Sequence, residues 1–361
     1  MQFTRTLARW FPVPKLLTPC GTGVDVSDSS VKWLSLAPGN NGTRIASYGS
    51  ERIPDGVVQG GVIRDVPALA SVLAGIKKRA GVSCAHAALP EEGAYVFSMH
   101  VPEASARKEI MNMIEFELEN RVPIPEGQAV YDYDTVDVHD EHGEEIAVTV
   151  FPRELADGYA NAFEKAGIEL SSLEIEARSI ARAVSGKMSD PVTMLVDCGH
   201  ARTGVAILKH GIPIFTSTVE IGGDHLTHAA MEALSLQTEE EAETFKNEHG
   251  LIPDDASKKG YEALEKVAGH LTDEIARHYR FWDTRRFEGN VRTPPVERVY
   301  ILGGSANLRG LPEYIAGKVQ VRAERPNVWC NVFSFDDYIP EIEYRSSFQY
   351  ATAVGLALRA L

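Results

Sequence analysis

The sequence predicts an α/β protein in which two related lobes face each other across a cleft, with a small α+β block inserted between them. Three observations carry this. The order strand, acid-bearing turn, strand, turn, strand occurs twice, at residues 23–53 and 192–221. The acids Asp25 and Asp197 stand at matching places in the two copies. The chain has 361 residues, more than a single hydrophobic core sustains. A spaced internal duplication of this kind reads as two similar units.

The first copy opens with a strand at 23–26, breaks at the small polar residues 27–30 and resumes at 31–36. Residues 38–42 are a dense turn signal, and 45–53 alternate again as a third strand. A helix follows at 66–80, with Leu69, Val72, Leu73 and Ile76 on one face and Gly81 as its C-cap. The second copy has strands at 192–196, 203–208 and 212–221, broken at 197–200 and 209–211.

Between the copies, residues 85–168 read as the inserted subdomain. A helix at 104–121 carries Ile110, Met113, Ile114 and Leu118 as an apolar stripe, and the prolines Pro123 and Pro125 end it. Strands are expected at 130–138 and 146–150 across a polar turn at 140–145. A helix at 153–166 is closed by Gly167. After the second copy come helices at 224–234 and 238–247, a polar loop at 252–259 and a long helix at 261–287. A loop at 289–295 leads to a buried strand at 296–302, then to helices at 311–318 and 348–360. The expected division is an arm at 1–20, a first lobe of 21–84, 169–190 and 340–361, the insertion 85–168, and a second lobe 191–339 with its helical part at about 224–295.

Hydrophobic residues make up 44% of the chain and charged residues 24%, which fits a globular protein. Lys and Arg total 36 against 51 Asp and Glu, a net charge of −15, so no nucleic-acid partner is expected. Cys20, Cys84, Cys198 and Cys330 are scattered and form no CxxC pair. The expectation is reduced thiols in a cytosolic compartment, with neither a zinc site nor a disulfide framework. No stretch reaches the roughly 20 apolar residues of a membrane-spanning helix. Residues 1–17 hold Arg5, Arg9 and Lys15 with no acid, beside Phe3, Trp10 and Phe11. This basic arm has two readings, a loose or docked terminus and an interfacial anchor on anionic lipid.

The chemistry concentrates at four places. In the turn after Asp25, backbone N–H groups and the hydroxyls of Ser27, Ser29 and Ser30 can face an anion. Lys32 can place a cation near phosphates, and Asp25 can hold a hydrated divalent metal. In the second turn, Asp197 can share that metal's water shell, Gly199 permits close backbone approach, and Thr203 can donate to a phosphate. Each turn alone is also an ordinary hairpin turn; the duplication is what makes the pair informative. Gly222 and Gly223 open a helix. Gly303 and Gly304 end a buried strand, where backbone can lie against a bulky ring, and Ser305 can cap the next helical turn.

These features together resemble the phosphate and adenosine motifs of the actin–hexokinase–chaperone ATPase superfamily. The expected fold is therefore an actin-like, ribonuclease H-like duplicated ATPase fold, two lobes around a nucleotide cleft with an inserted α+β subdomain. The fragments GVDVSDSSVKWLSL, IEARSIARA, VDCGHARTGVAILKHGIPIFT, EIGGDHLT, EAETFK, ILGGSANLRGL and ATAVGLALRAL are similar, in that order, to the PilM family, the actin-like proteins of type IV pilus assembly. The similarity runs from about residue 21 to the last residue.

The resemblance implies ATP and Mg2+ between the lobes. It places Asp25, Ser27, Ser29, Ser30, Lys32, Asp197, Gly199 and Thr203 at the phosphates, with Asp25 and Asp197 holding metal through water. Gly303, Gly304 and Ser305 fall at the adenosine motif, and Gly222 and Gly223 count among the nucleotide-binding residues. Glu243 and Lys246 fall at the nucleoside, although a solvated charged face explains those two equally well. The resemblance further implies a cytoplasmic scaffold at the inner membrane. A PilN-like N-terminal peptide would sit in a groove between the first lobe and the insertion, with other pilus platform and motor proteins nearby and a ring or dimer allowed. Membrane association would come through the partner or the arm at 1–17.

Asp28 departs from the family pattern by adding an acid to the phosphate turn, and Cys198, His200 and Arg202 are unusual neighbours for Asp197; Arg202 can offset Asp28. No dedicated general base is evident, so weak or no ATPase activity is expected. The rivals are a small-molecule kinase of the same superfamily, an FtsA-like membrane-associated filament protein, and the cytoplasmic part of a secretion-platform protein such as GspL.

Overall fold

The computed structural model describes residues 19–39, 42–140, 143–185, 191–286 and 293–360. The basic arm at 1–17 lies outside the described residues, as do parts of the turns expected at 38–42 and 140–145 and of the loop at 289–295.

The chain opens with β1 (Thr22–Val26), β2 (Ser30–Gly39) and β3 (Gly42–Arg52), an antiparallel meander. A short hairpin of β4 (Val58–Gln59) and β5 (Val62–Ile63) leads to α1 (Val66–Ala80) and β6 (Cys84–Leu89). Next come β7 (Tyr95–Val101), α2 (Arg107–Arg121), β8 (Ala129–Asp140), β9 (Gly143–Pro152) and α3 (Arg153–Ala166). Then β10 (Glu169–Ile175) passes into α4 (Glu176–Val184). The second meander is β11 (Thr193–Cys198), β12 (Thr203–Lys209) and β13 (Ile212–Val219). Three helices follow, α5 (Gly223–Leu234), α6 (Glu239–Glu248) and α7 (Lys258–Thr284). The chain continues through β14 (Arg298–Leu302), α8 (Leu311–Val319), β15 (Arg322–Glu324), α9 (Tyr344–Ser347) and α10 (Ala351–Ala357).

The duplication extends to whole sheets. The first runs β3–β2–β1–β6–β10 and the second β13–β12–β11–β14–β15. In each, a meander is followed by two parallel strands. The registers correspond as well. Asp25 pairs with Lys32 one step before the Val26–Val31 pair that closes the turn; Asp197 pairs with Gly204 one step before Cys198–Thr203.

Gly81 and Gly167 cap α1 and α3 in the left-handed conformation, as the sequence indicates. The insertion is smaller than expected. The strand Cys84–Leu89 is inside the first sheet, and α3 buries Tyr159 and Phe163 in one core with Leu69, Leu73 and Ile76 of α1. The separate block is the sheet β7–β9–β8 with α2, whose Ile110, Ile114 and Leu118 pack with Ile146 and Val148. Parallel pairing joins strands far apart in sequence, so local pattern does not reveal which sheet β6 enters. The terminal helix is also shorter: 3-10 turns at Phe348–Tyr350 and Leu358–Ala360 flank α10.

Cys20 and Cys84 form a disulfide, with Cα atoms 5.9 Å apart. This overturns the expectation of four reduced thiols. Cys20 precedes β1 and Cys84 opens β6, and these strands are parallel neighbours, so wide spacing in sequence becomes adjacency in the sheet.

The turn at 209–211 seats the second lobe on the inserted sheet. Lys209 Nζ donates to Glu145 Oε2 at 2.5 Å, and Glu145 is 1% exposed. His210 Nε2 stands 3.7 Å from Asp137 Oδ2.

Candidate functional site

The two turns that follow Asp25 and Asp197 meet at one cavity of about 690 Å3 between the lobes. Of the residues expected at the site, Asp25, Ser27, Ser29, Ser30, Lys32, Asp197, Gly199, Gly223, Glu243, Gly303, Gly304 and Ser305 line it. Thr203, Gly222 and Lys246 do not.

The first turn is self-braced. Ser27 Oγ donates to the Ser30 carbonyl at 3.0 Å and accepts from Ser30 N–H at 3.2 Å. Ser27 thus shapes the turn, and the cavity wall offers an anion the hydroxyls of Ser29 and Ser30. Lys32 Nζ lies 3.8 Å from Asp25 Oδ2, the cross-strand pairing fixed by register.

Thr203 is the counterpart of Val31 and points into the core. Its hydroxyl is fully buried and donates to the Ile221 carbonyl at 2.7 Å, which corrects its expected role as a phosphate donor. Lys246 also turns inward: Nζ donates to Thr227 Oγ1 at 2.8 Å, to the Gly223 carbonyl at 3.2 Å and to Glu243. It ties α5 to α6 and leaves Glu243, not Lys246, at the cavity wall. Gly222 packs on the backbone of residues 200–202. Ser305 Oγ donates to the Gly199 carbonyl at 3.2 Å, joining the glycine pair to the second turn. Gly303 has φ +85°, a conformation glycine adopts freely, and its Cα face lies on Asp197 and Cys198, with no room for a side chain.

Sequence reasoning missed four acids here, Asp55, Glu91, Glu92 and Glu176. After β6, Glu91–Gly93 forms a 3-10 turn, as Gly304–Asn307 does after the equivalent strand β14. Carrying the duplication one strand further would have found Glu91. Its Oε1 accepts from Ala177 N–H at 2.7 Å at the start of α4, next to Glu176.

Burial dominates the electrostatics. It raises the Glu91 carboxyl to about 8, against the pull of the Ala177 N–H and with help from Asp197, Glu92 and Asp25. Asp197 rises to about 6, through burial and then Asp25. Burial, then Glu91 and Asp25, raise Glu176 well above the carboxylate range. Asp25 is raised by burial, with Lys32 opposing. Asp25 and Glu91 are buried in this cavity, with Asp197 and Glu176 partly exposed beside them.

A second cavity, of about 700 Å3, lies between the first lobe and the inserted sheet. Its walls include Tyr131 and Tyr133 of β8 and Leu173 and Glu174 of β10, both edge strands of their sheets. Arg178 of α4 crosses it, with Nε and Nη2 on the Asp134 carboxylate at 3.0 and 3.2 Å. Arg182 grips Glu174 in the same bidentate way.

Duplicated sheets with acid-bearing turns at a shared cleft define a protein of the actin-like ATPase fold. The solved structure of a PilM-PilN type IV pilus biogenesis complex is similar at a TM-score of 0.76 and 23% identity, over 94% of this chain and 98% of that one. MreB5 of Spiroplasma citri bound to AMPPNP is similar at a TM-score of 0.52 and 14% identity, over 88% and 95%. The ethanolamine utilization protein EutJ of Escherichia coli (strain K12) is 32% identical over 120 residues, 33% of this chain; the match spans 38% of that protein's length. Residues 23–361 match the family of the type IV pilus assembly protein PilM, and the chain belongs to that family. Among the described residues, no helix is long and apolar enough to cross a membrane.

Proposed function

We propose that this chain is an ATP-binding scaffold of the type IV pilus assembly complex at the cytoplasmic face of the inner membrane. The observation that carries the nucleotide reading is the shared register of the two hairpins, which brings both acid-bearing turns to one cavity. Phosphates would be held by turn N–H groups, Ser29, Ser30 and Lys32. Gly303, Gly304 and Glu243 would border the nucleoside. The space beside Gly304 is open to at least 4 Å, as a ring stacked there requires. Among the described residues no three acid, His or Cys side chains converge as direct metal ligands. Asp25 and Asp197 would therefore hold magnesium through its own waters, as that ion prefers. Magnesium supplies charge neutralisation at the phosphates. Glu91 and Glu176 are the carboxyls able to hold a proton there, and turnover would be slow.

The second cavity would receive the cytoplasmic N-terminal peptide of a PilN-like membrane protein. The free edges of β8 and β10 offer backbone donors and acceptors to an extended chain. That peptide would tether the scaffold to the membrane, leaving other faces for platform and motor proteins. Calorimetry with magnesium–ATP tests the cleft, and titration of a labelled PilN-like peptide tests the groove. Lys32→Ala and Asp197→Ala should each weaken nucleotide binding; no binding by the wild type would sink the nucleotide reading.

A further inference from the structure

We infer that Arg202 discriminates a nucleoside triphosphate from a diphosphate by releasing a latch between the lobes. The inference rests on the nucleotide reading above and assigns its regulation. Arg202 ends the second turn, and its guanidinium forks across the cleft. Nη2 pairs with Asp28 of the first turn, and Nη1 with Glu92 Oε1 at 2.9 Å. Asp28 also accepts from Gly60 N–H at 3.1 Å and Gly61 N–H at 2.9 Å, at the tip of the β4–β5 hairpin. One second-lobe cation therefore holds three first-lobe segments together.

The latch sits on the cavity wall, where Asp28, Gly61, Glu92 and Arg202 are all lining residues. Its side chains are shielded, Arg202 at 14% and Asp28 at 26% exposure, so water screens the pair less than it does a surface ion pair. A guanidinium forks onto phosphate oxygens as readily as onto carboxylates. A terminal phosphate between the two turns would stand near Asp28 and Glu92, whose shared counter-ion is Arg202. Drawing Arg202 to the phosphate leaves Asp28 facing an anion, and like-charge repulsion then moves Asp28 and the Gly60–Gly61 tip outward. A diphosphate lacks that group and leaves the latch shut.

The test combines calorimetry with magnesium–ATP and magnesium–ADP and amide hydrogen exchange at Gly60 and Gly61. Wild type should prefer ATP, and a non-hydrolysed ATP analogue, but not ADP, should speed exchange at the two glycines. Arg202→Gln should lose about tenfold in the ATP-to-ADP ratio, a change of about 1.4 kcal/mol, and its glycines should exchange fast with or without nucleotide. Arg202→Lys, with charge but no fork, should recover part of the preference. An unchanged ratio in folded Arg202→Gln overturns the inference and leaves the nucleotide reading standing. A wild type that binds neither nucleotide overturns both. If Arg202→Gln fails to fold, Asp28→Asn carries the test: it removes the repelling acid and should shift the ratio toward ATP, and no shift overturns the latch.

Discussion

Glu91 occupies the space that a side chain at position 204 would need: a Cβ added to Gly204 would stand 2.9 Å from Glu91 Oε2. The first lobe thus sends a carboxyl into a gap left by the second, beside Asp197.

That burial has a pH signature. Glu91 titrates near 8 in the folded chain against an ordinary 4.5. Between those values the folded chain keeps a proton that the unfolded chain has released, so stability falls as pH rises from 4.5 to 8. Glu91→Gln keeps an acceptor for Ala177 N–H without the charge. Urea melts without metal should show it about 1–3 kcal/mol more stable than wild type at pH 8 and equal at pH 4. A gain that is larger at pH 4 would refute this account.

The lobe–insertion contact depends on one buried acid. Glu145 Oε1 finds no donor among the described residues, so Lys209 is the cation that offsets its burial. Lys209→Met should cost about 3–5 kcal/mol by stranding that charge, and the double variant with Glu145→Leu should recover most of it. Thermal melts of the three variants give the coupling directly; additive losses would contradict it.

Thr149 lines the cavity between the lobe and the insertion. Thr149→Trp should fill that space and weaken PilN-like peptide binding about tenfold or more, while leaving ATP affinity unchanged. Equal loss of both ligands would point to misfolding instead of occlusion.

Helix α10 lies against α4 with its backbone in contact: a Cβ on Gly355 would overlap the Ser179 carbonyl. Gly355→Ala should therefore destabilise the chain by about 3 kcal/mol. Chemical denaturation measures this, and a neutral outcome would mean that the two helices can separate freely.

The hairpins, the capped helices and the glycine pair were legible in sequence because each is set by neighbours a few residues away. The role of Thr203 was not. A hydroxyl beside a phosphate-like turn suggests a donor, but the register makes it the twin of inward-facing Val31. Lys246 misled in the same way, since a charged residue in an acidic helix looks solvated until Thr227 and the Gly223 carbonyl are seen to receive it. Glu91 depends on a gap at Gly204, and β6 and the Cys20–Cys84 bond depend on parallel pairing. These are consequences of topology, which local pattern does not encode.

The Cys20–Cys84 bond also fixes where mechanical load would enter the fold. Tension applied to the chain ahead of Cys20 would pass through a covalent link into β6 as well as through β1. Both strands lie inside the sheet, between β10 and β2. The pull would be shared across the middle of the first lobe and would not peel a strand from its rim.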